Sequence, residues 1–437
     1  MDLKPLSRSV SIIGVGTTVY GTPFDTEELK DLSFQDYGAW AVLSALDDAG
    51  VNPREVDHLV VGSTSSPLNN AMNISPHHGF LEWCGMKGKS ANYQVSGCST
   101  GFNIITQAID LVAGGRCDIA VAVSIEINQS ITHPSQPSHI RYPFSQFKEL
   151  YGIEANHGTN GVDTSYARWT GSTFSAMDHC GRHYMRDAGI TYDDLEDANI
   201  GSVITARHMG ALGDDTYLKQ PFEEIAKEYG FDDVNEYMKS DMDPKFGDFN
   251  RVNFTGVMCE GAGAIVICAS DIARRYQKKP VEIVNMAQCD YSVLTPNNLQ
   301  KMTRVAAKRI YEATGYKPED IDYFQCTNMD QNEMIDACEA VGYMPKGEAW
   351  KYFRDGKTAF DGEKPVNTDG GTQGVGHAYS ATSMHNYKEA VLQIRGEAGK
   401  RQIPNPPKVV MVRGEGATHS THIAILRPLA EDAPVRA

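Results

Sequence analysis

The sequence predicts an α/β fold in which one unit of strands and helices occurs twice. Short apolar stretches typical of buried strands alternate with stretches whose apolar residues recur at helical spacing. The order of a helix, a glycine that ends it, a turn with a proline and a strand also occurs in both halves of the sequence. Three residues of the first copy recur in the second copy at the same sequence separation. The matched pairs are Gly50 and Gly315, Pro53 and Pro318, and Asp57 and Asp322. A duplicated unit also suits a chain of 437 residues, which exceeds the usual size of a single hydrophobic core.

Composition narrows the classes of function. Hydrophobic residues make up 41% and charged residues 22% of the chain, as in ordinary globular proteins. The net charge of −16 argues against nucleic acid or an anionic membrane surface as a partner. No apolar stretch is long enough to span a membrane and Met1 to Leu6 contain no signal core, so we expect a cytoplasmic protein. The nine cysteines occur singly without a CxxC pair, which predicts neither a disulfide framework nor a metal site.

The elements of the first half follow in order. Residues 10–16 read as a buried strand that ends in a glycine turn. Ser33 is the predicted N-cap of a helix that ends at Gly50. A strand, a short strand, a helix and a strand are then predicted at 57–62, 92–95, 99–113 and 117–123. Strands that are apolar throughout indicate a sheet covered on both faces.

The alternating pattern stops between residues 128 and 253, where prolines and aromatic residues are frequent and one helix-like stretch spans 165–186. We interpret this region as an inserted loop or lid domain. The predicted organisation is an N-terminal half of residues 1–127 plus 254–272, a loop domain of 128–253, a C-terminal half of 273–428 and a tail of 429–437.

The second half contains a counterpart of the strand-to-helix corner at residues 92–105. The stretch from Val366 leads through Gly374 and Gly376 to His377. A helix is predicted at 380–396 and a strand at 408–412. Cys98 and His377 therefore occupy comparable corners of the two halves.

Cys98 lies between Gly97 and Gly101 at the predicted start of a helix. The glycines allow a sharp turn, while the free N–H groups and the dipole of a helix start favour a thiolate and can stabilise an oxyanion. A histidine at the facing corner is a suitable base for such a nucleophile. The alternative is a buried free cysteine that packs beside a tight turn.

Three features together resemble the thiolase superfamily: the corner Ser96-Gly97-Cys98-Ser99-Thr100-Gly101, the glycine-rich stretch that ends in Gly376-His377, and the pair Asn332-Glu333. The resemblance covers about Val10 to Leu426. Within the superfamily, the chain most resembles the sterol-carrier-protein-type thiolases of bacteria and archaea. It implies a thiolase fold of two βαβαβαββ halves in a five-layer αβαβα arrangement. It also implies acyl-CoA and CoA as substrates and no cofactor.

The same resemblance implies roles for the site residues. Cys98 would carry the acyl group, His377 would activate it and help bind the thioester oxygen, and Asn332 would orient a water in a first oxyanion hole. The backbone N–H of Cys98 and an amide of the last glycine-rich loop, Gly414-Glu415-Gly416, would form a second hole. The reaction would be a ping-pong Claisen cleavage or condensation of a 3-oxoacyl-CoA.

The chain departs from the family pattern where a second base is expected. Arg413 stands in place of the usual cysteine or histidine, and Ala378 replaces the proline after the corner histidine. The candidates for the base are Cys326, Glu415, His419 and His377 itself. Arg413 could alternatively hold a substrate carboxylate through its planar guanidinium. The substrate-binding residues expected from the resemblance are Gly376, Arg413, Gly414, Gly416 and His419.

The sequence is also similar to thiolase large subunits of anaerobic aromatic degradation, a subgroup that includes the enzyme for benzoylsuccinyl-CoA. That similarity implies a homodimeric core and a small partner with a zinc ribbon and an OB-like domain. Seven side chains of the inserted region either line a bulky acyl site or simply pack that region: His139, Tyr142, Phe144, Phe147, Tyr151, Tyr166 and Trp169. Two other functions stay open, namely a ketoacyl or hydroxymethylglutaryl-type condensing synthase and a non-catalytic acyl-CoA-binding subunit.

Overall fold

The computed structural model describes residues 3–64, 76–127, 173–243, 245, 250–290, 298–416, 420–433 and 435–436. The strands among these residues are β1 (Val10–Thr17), β2 (His58–Gly62), β3 (Ser90–Gln94), β4 (Ile119–Glu126), β5 (Gly261–Ala269), β6 (Val281–Asp290), β7 (Tyr323–Cys326), β8 (Val410–Gly416) and β9 (Ser420–Pro428). They form one sheet with the spatial order β3-β2-β4-β5-β1-β6-β9-β8-β7.

Helices cover this sheet and also occur in the described part of the stretch between β4 and β5. In chain order they are α1 (Phe34–Ala49), α2 (Pro76–Trp83), α3 (Thr100–Ala113), α4 (Thr173–Ala188), α5 (Tyr192–Ala211), α6 (Phe222–Glu228), α7 (Val234–Lys239), α8 (Ser270–Ala273), α9 (Asn298–Thr314), α10 (Gln331–Ala340), α11 (Ala349–Arg354) and α12 (Ala381–Arg395). Within the described residues, none of these helices has the length and apolar character needed to cross a membrane.

The two halves of the sheet have the same topology about the β1/β6 contact. Read outward from that contact, the first half has the order β1-β5-β4-β2-β3 and the second has β6-β9-β8-β7. The pairs β4/β2 and β8/β7 are parallel, whereas the pairs nearer the centre are antiparallel. A single parallel bridge from Phe324 to Val366 occupies the place that β3 has in the first half. The predicted duplication is therefore present in the strand order itself.

The repeated residues have the same roles in both halves. Gly50 and Gly315 follow α1 and α9 and adopt positive φ angles of 68° and 76°. Asp57 and Asp322 each accept two backbone N–H groups at the start of the next parallel strand. The donors, at 2.8 to 3.1 Å, are Asp118 and Ile119 for the first aspartate and Lys408 and Val409 for the second. Each aspartate thus aligns a strand beside its neighbour.

The helices form three layers that alternate with the two halves of the sheet. Helix α1 packs on one face of the first half, and α3 and α12 pack on its other face. Helix α12 also packs on the near face of the second half, whose far face is covered by α9. This is the expected αβαβα order, with the two half-sheets joined by three residue pairs between β1 and β6.

The described part of the inserted region, α4 to α7, packs against the second half. Helix α5 contacts α11, and α4 contacts α10. Asp215 forms ion pairs with Lys388 at 2.6 Å and with His385 at 3.2 Å, both on α12, and the Leu218 N–H donates to the Gly374 carbonyl at 2.8 Å. The seven aromatic and histidine side chains proposed for an acyl site, and His419, lie outside the described residues.

Candidate active site

Cys98 lies at the corner where β3 leads into α3. Gly97 has a φ angle of 55°, which residues with a side chain rarely adopt. Three hydrogen bonds of 2.7 Å close the corner: the Ser96 N–H donates to Thr100 Oγ1, the Thr100 hydroxyl to the Gly97 carbonyl, and the Ser99 hydroxyl to the Ser96 carbonyl. Cys98 is only 6% exposed and stands just before the first turn of α3.

The surroundings of the Cys98 thiol contradict the expectation of a stabilised thiolate. Burial raises the pKa of Cys98 to about 12, and the carboxylates of Glu415 and Glu126 add to this increase. Removal from water and the nearby Glu126 carboxylate outweigh the N–H groups of the helix start. Cys98 is therefore a neutral thiol in the resting protein and needs a base to become a nucleophile.

His377 lies at the equivalent corner before α12. Gly376 precedes it with a φ angle of 92°, and a Cβ there would lie 2.6 Å from Cys259 Sγ. The His377 N–H donates to the Val257 carbonyl at 2.6 Å, and the Cys259 N–H donates to the His377 carbonyl at 3.1 Å. Its Nδ1 is 3.3 Å from the Thr382 hydroxyl, whereas the buried Nε2 has no hydrogen-bond partner among the described residues. Burial lowers the pKa of His377 to about 4, so the imidazole is neutral at pH 7 and can accept a proton.

The two corners and the end of β8 meet at glycine contacts. A Cβ on Gly101, in the first turn of α3, would overlap with the backbone oxygen of Ser380, just before α12. A Cβ on Gly416, the last residue of β8, would lie 2.6 Å from Ser99 Oγ. The absence of side chains at both positions brings the starts of α3 and α12 and the end of β8 into one site.

Asn332 is fully buried in the first turn of α10 between two other asparagines. Its Oδ1 accepts a hydrogen bond from Asn199 Nδ2 at 2.7 Å, and its Nδ2 donates to Asn250 Oδ1 at 2.8 Å. The chain that supplies Asn250 continues to a β-bridge between Met258 and His377, so Asn332 belongs to the same region of the molecule. The oxygen of the Asn332 amide is used within the protein, and its role in orienting a water stays a prediction.

A buried cluster of ionisable side chains lies between the end of β8 and the start of α10. Arg413 forms an ion pair with Glu333 and also contacts the Thr327 carbonyl at 3.5 Å and Thr303 Oγ1 at 3.4 Å. Glu415 lies two residues after Arg413 on the same face of β8, and neither of its carboxyl oxygens has a hydrogen-bond partner among the described residues. Burial and the Glu333 carboxylate hold the pKa of Glu415 well above its ordinary value, which favours its protonated form.

The other residues predicted for the site lie on or beside the outer strands of the second half. Cys326 pairs in register with Arg413 and packs in the hydrophobic cluster under α9 and α10, where burial raises the pKa of its thiol. Gly414 and Gly416 belong to β8 rather than to a loop, because the strand runs on to Gly416. Gly414 leaves room for the ring of Phe102 on α3. The predicted last loop is thus a strand end that packs on the helix behind Cys98.

Glu126 is a site residue that the sequence did not reveal. It ends β4 and accepts hydrogen bonds from the Thr64 N–H at 2.9 Å, from the Thr64 hydroxyl at 2.8 Å and from the Ser380 hydroxyl. Ser380 also shares a hydrogen bond of 2.6 Å with Ser124. Glu126 therefore ties the first half to the start of α12, and its charge reaches Cys98. A carboxylate at the end of an otherwise uncharged strand was the available signal.

Two pseudo-symmetric halves, with a cysteine and a histidine at facing helix starts, define a thiolase-type acyltransferase. Residues 10–167 match the family model for the thiolase N-terminal domain, and residues 290–427 match that for the thiolase C-terminal domain-like family. The two matches together span more than half of the chain, and the chain belongs to the thiolase superfamily. This membership confirms the predicted family, fold class and enzyme class.

Individual relatives cover nearly the whole chain. The acetyl-CoA acetyltransferase of Methanothermobacter thermautotrophicus is 28% identical over 428 residues, which cover 95% of this chain and 99% of that protein. The benzoylsuccinyl-CoA thiolase subunit BbsB of Thauera aromatica is 25% identical, with 94% of this chain and 95% of that protein covered. The solved Ltp2-ChsH2(DUF35) aldolase has a TM-score of 0.71 at 19% identity, with 96% and 98% covered, and shows the likeness of fold.

Proposed function

We propose that the protein is a CoA-dependent thiolase that cleaves or forms a 3-oxoacyl-CoA through an acyl group on Cys98. In cleavage, His377 takes the thiol proton and the thiolate attacks the C3 carbonyl of the substrate. The bond between C2 and C3 breaks, and the thiol of CoA then releases the acyl group from Cys98. The observation that carries the proposal is the meeting of a buried thiol and a buried neutral imidazole at paired helix starts.

The same geometry supports stabilisation of the oxyanion that forms during attack. In this proposal the Nδ1–H of His377 donates a hydrogen bond to the Thr382 hydroxyl, which leaves Nε2 as the basic atom. Once it has taken the proton from Cys98, Nε2 becomes a donor inside a water-poor site. The backbone N–H groups at the start of α3 supply further donors beside the nucleophile.

We propose a bulky, branched or aromatic acyl group, such as that of benzoylsuccinyl-CoA. The name of the Thauera relative and the many aromatic residues in 128–172 support this choice. A clamp for a substrate carboxylate at Arg413 has less support, because Glu333 already neutralises that guanidinium in the protein interior.

Intact-mass measurement tests the acyl intermediate. The protein is incubated with short, branched and aromatic acyl-CoA thioesters, and a covalent acyl adduct is expected on the wild type and absent from Cys98→Ala. Cys117→Ala is the matched control, because Cys117 is the most exposed cysteine among the described residues and should leave the adduct intact. If no thioester of the panel acylates the wild type, the non-catalytic acyl-CoA-binding function replaces this proposal.

Product analysis separates the thiolase from a condensing synthase. A thiolase should convert the 3-oxoacyl-CoA and CoA into two acyl-CoA products and should run in the reverse direction from the same two. A ketoacyl or hydroxymethylglutaryl-type synthase would instead form its condensation product without CoA-dependent cleavage. Chromatography of the acyl-CoA pool in both directions distinguishes these outcomes.

We also propose a homodimeric core and a small companion subunit. Strand β3 is one of the two edge strands of the sheet in the described structure, and an edge strand can present unpaired N–H and C=O groups to a second copy. The name of the solved aldolase includes a DUF35 component, and that likeness of fold motivates the companion. Light scattering of the purified chain, followed by co-purification with a small subunit of this class, tests both points; a monomer that captures no such subunit would refute them.

A further inference from the structure

The cluster at the end of β8 contains one positive and two potentially negative side chains. Arg413, Glu333 and Glu415 are all 0% exposed. The ion pair with Glu333 already neutralises Arg413, so a charge on Glu415 would have no counter-charge of its own. An unpaired charge in the protein interior is costly, and a carboxyl group in this position keeps its proton.

The other titratable groups around Glu415 are consistent with this protonation. Asp330 and Glu333 approach from the start of α10, Cys180 from α4, and Cys98 from the corner before α3. Each of these groups is neutral with its proton and negative without it, so none of them supplies a second positive charge. Within the described residues, Arg413 is the positive group that acts on Glu415.

Glu415 is also the candidate base that lies beside the nucleophile with a free side chain. The next residue, Gly416, lies against Ser99, which follows Cys98, and a charge on Glu415 would raise the pKa of Cys98. Cys326 lies on the same face of the sheet but pairs with Arg413, two residues before Glu415 on β8, and packs in the hydrophobic cluster under α9 and α10.

We propose that Glu415 is the catalytic acid and base of the carbon–carbon bond step, and that Arg413 and Glu333 are positioning residues that keep it uncharged. The inference rests on the proposed thiolase function. When the C2–C3 bond breaks, its electron pair stays on C2 of the departing acyl-CoA as an enolate. Glu415 gives its proton to C2, which yields the neutral acyl-CoA and the Glu415 carboxylate. Protonated His377 then returns its proton to the Glu415 carboxylate by way of water, and the acid is restored. In the deacylation step, His377 takes the thiol proton of the incoming CoA while the CoA sulfur attacks acyl-Cys98, and the departing Cys98 thiolate takes that proton.

Two acetyl donors separate this step from the acylation of Cys98. Acetyl-CoA and acetoacetyl-CoA leave the same acetyl group on Cys98, but only the second requires cleavage of a carbon–carbon bond. We expect Glu415→Gln to be acylated by acetyl-CoA at nearly the wild-type rate and by acetoacetyl-CoA about 100-fold to 10,000-fold more slowly. If the wild type accepts longer acyl groups only, the corresponding acyl-CoA and 3-oxoacyl-CoA form the pair.

Controls make the assignment falsifiable. Cys326→Ser should retain both reactions, and loss of the acetoacetyl-CoA reaction in that variant, or its retention in Glu415→Gln, would overturn the proposal. Acylation by acetyl-CoA also reports that each variant is folded. If the wild type is acylated by neither donor of any pair, the thiolase function itself fails, which is a distinct result.

The positioning role has its own readout in the pH profile. In Glu333→Gln, Arg413 loses its partner and becomes available to stabilise the Glu415 carboxylate. The loss of the Glu415 proton, and with it the alkaline limb of the acetoacetyl-CoA profile, should then move to lower pH by a unit or more. An unchanged limb with a uniformly lower rate would show a structural role for Glu333 and overturn this part of the inference.

Discussion

Replacing Gly414 by alanine tests how closely the end of β8 packs on the helix that follows Cys98. An ideal Cβ at Gly414 would lie inside 3.0 Å of three ring carbons of Phe102, closer than Cβ atoms approach other atoms in proteins. The ring has little room to retreat, because it is 1% exposed and stacks on His422 with 5.6 Å between ring centroids. Overpacking of this kind costs about 1 to 3 kcal/mol of folding free energy. A shift of about 1 Å at the start of α3 would also slow acylation of Cys98 about 100-fold.

Urea unfolding and the acylation rate measure the two effects. Gly79→Ala is the matched control, since a Cβ at Gly79 meets no atom within 4 Å and should leave both quantities near the wild type. Phe102→Leu removes the ring, so Gly414→Ala should be much less destabilising in the double variant, with a coupling of about 1 kcal/mol or more. The packing argument would be refuted if Gly414→Ala were as stable as the wild type. It would also be refuted if the free-energy changes of Gly414→Ala and Phe102→Leu simply added in the double variant.

Three further predictions follow from the protonation and capping of other residues. Because the pKa of Cys98 is raised to about 12, its alkylation by iodoacetamide should rise about tenfold per pH unit from pH 7 to 10, and a plateau below pH 9 would reveal a thiolate instead. Burial lowers the pKa of His422 to about 4, below the value of about 6.5 in the unfolded chain. Between these two pH values the unfolded state binds more protons than the folded state. The free energy of unfolding should therefore fall by up to about 3 kcal/mol as the pH drops from 6.5 to 4. His422→Phe should preserve the stacking on Phe102 and flatten this fall in urea titrations, whereas an unchanged slope would contradict the assignment. Asp57→Ala and Asp322→Ala should each lower stability by about 1 kcal/mol in thermal unfolding, because each removes the acceptor of two backbone N–H groups; a large effect in one half alone would contradict their equivalence.

Local signals in the sequence were sufficient for the framework of the fold. The helix expected at 99–113 spans Thr100–Ala113, and the helix expected at 380–396 spans Ala381–Arg395. Ser33 caps α1 together with Asp36, as its position before the apolar repeat indicated. Helix caps, helical periodicity and glycines that end helices each involve residues close together in the sequence. They can therefore be recognised without a structure.

The candidate site required both levels of information. The sequence placed Cys98 and His377 at equivalent corners, since the internal repeat relates positions far apart in the chain. It did not predict Glu126, or that β8 extends through Gly416 into contact with Ser99. Such contacts depend on how strands from different parts of the chain align, and this alignment cannot be predicted from the spacing of residues in the sequence.

The sequence by itself determined a duplicated α/β framework of the thiolase type and predicted Cys98 as its nucleophile, because local patterns and their repetition carry this information. Only the tertiary structure decided which protonation states Cys98 and Glu415 favour. Cys98 is a neutral thiol rather than a thiolate, and Glu415 is a neutral acid because Glu333 already pairs with Arg413. A pKa is set by loss of water and by nearby charges, and both come from segments that meet only when the chain is folded.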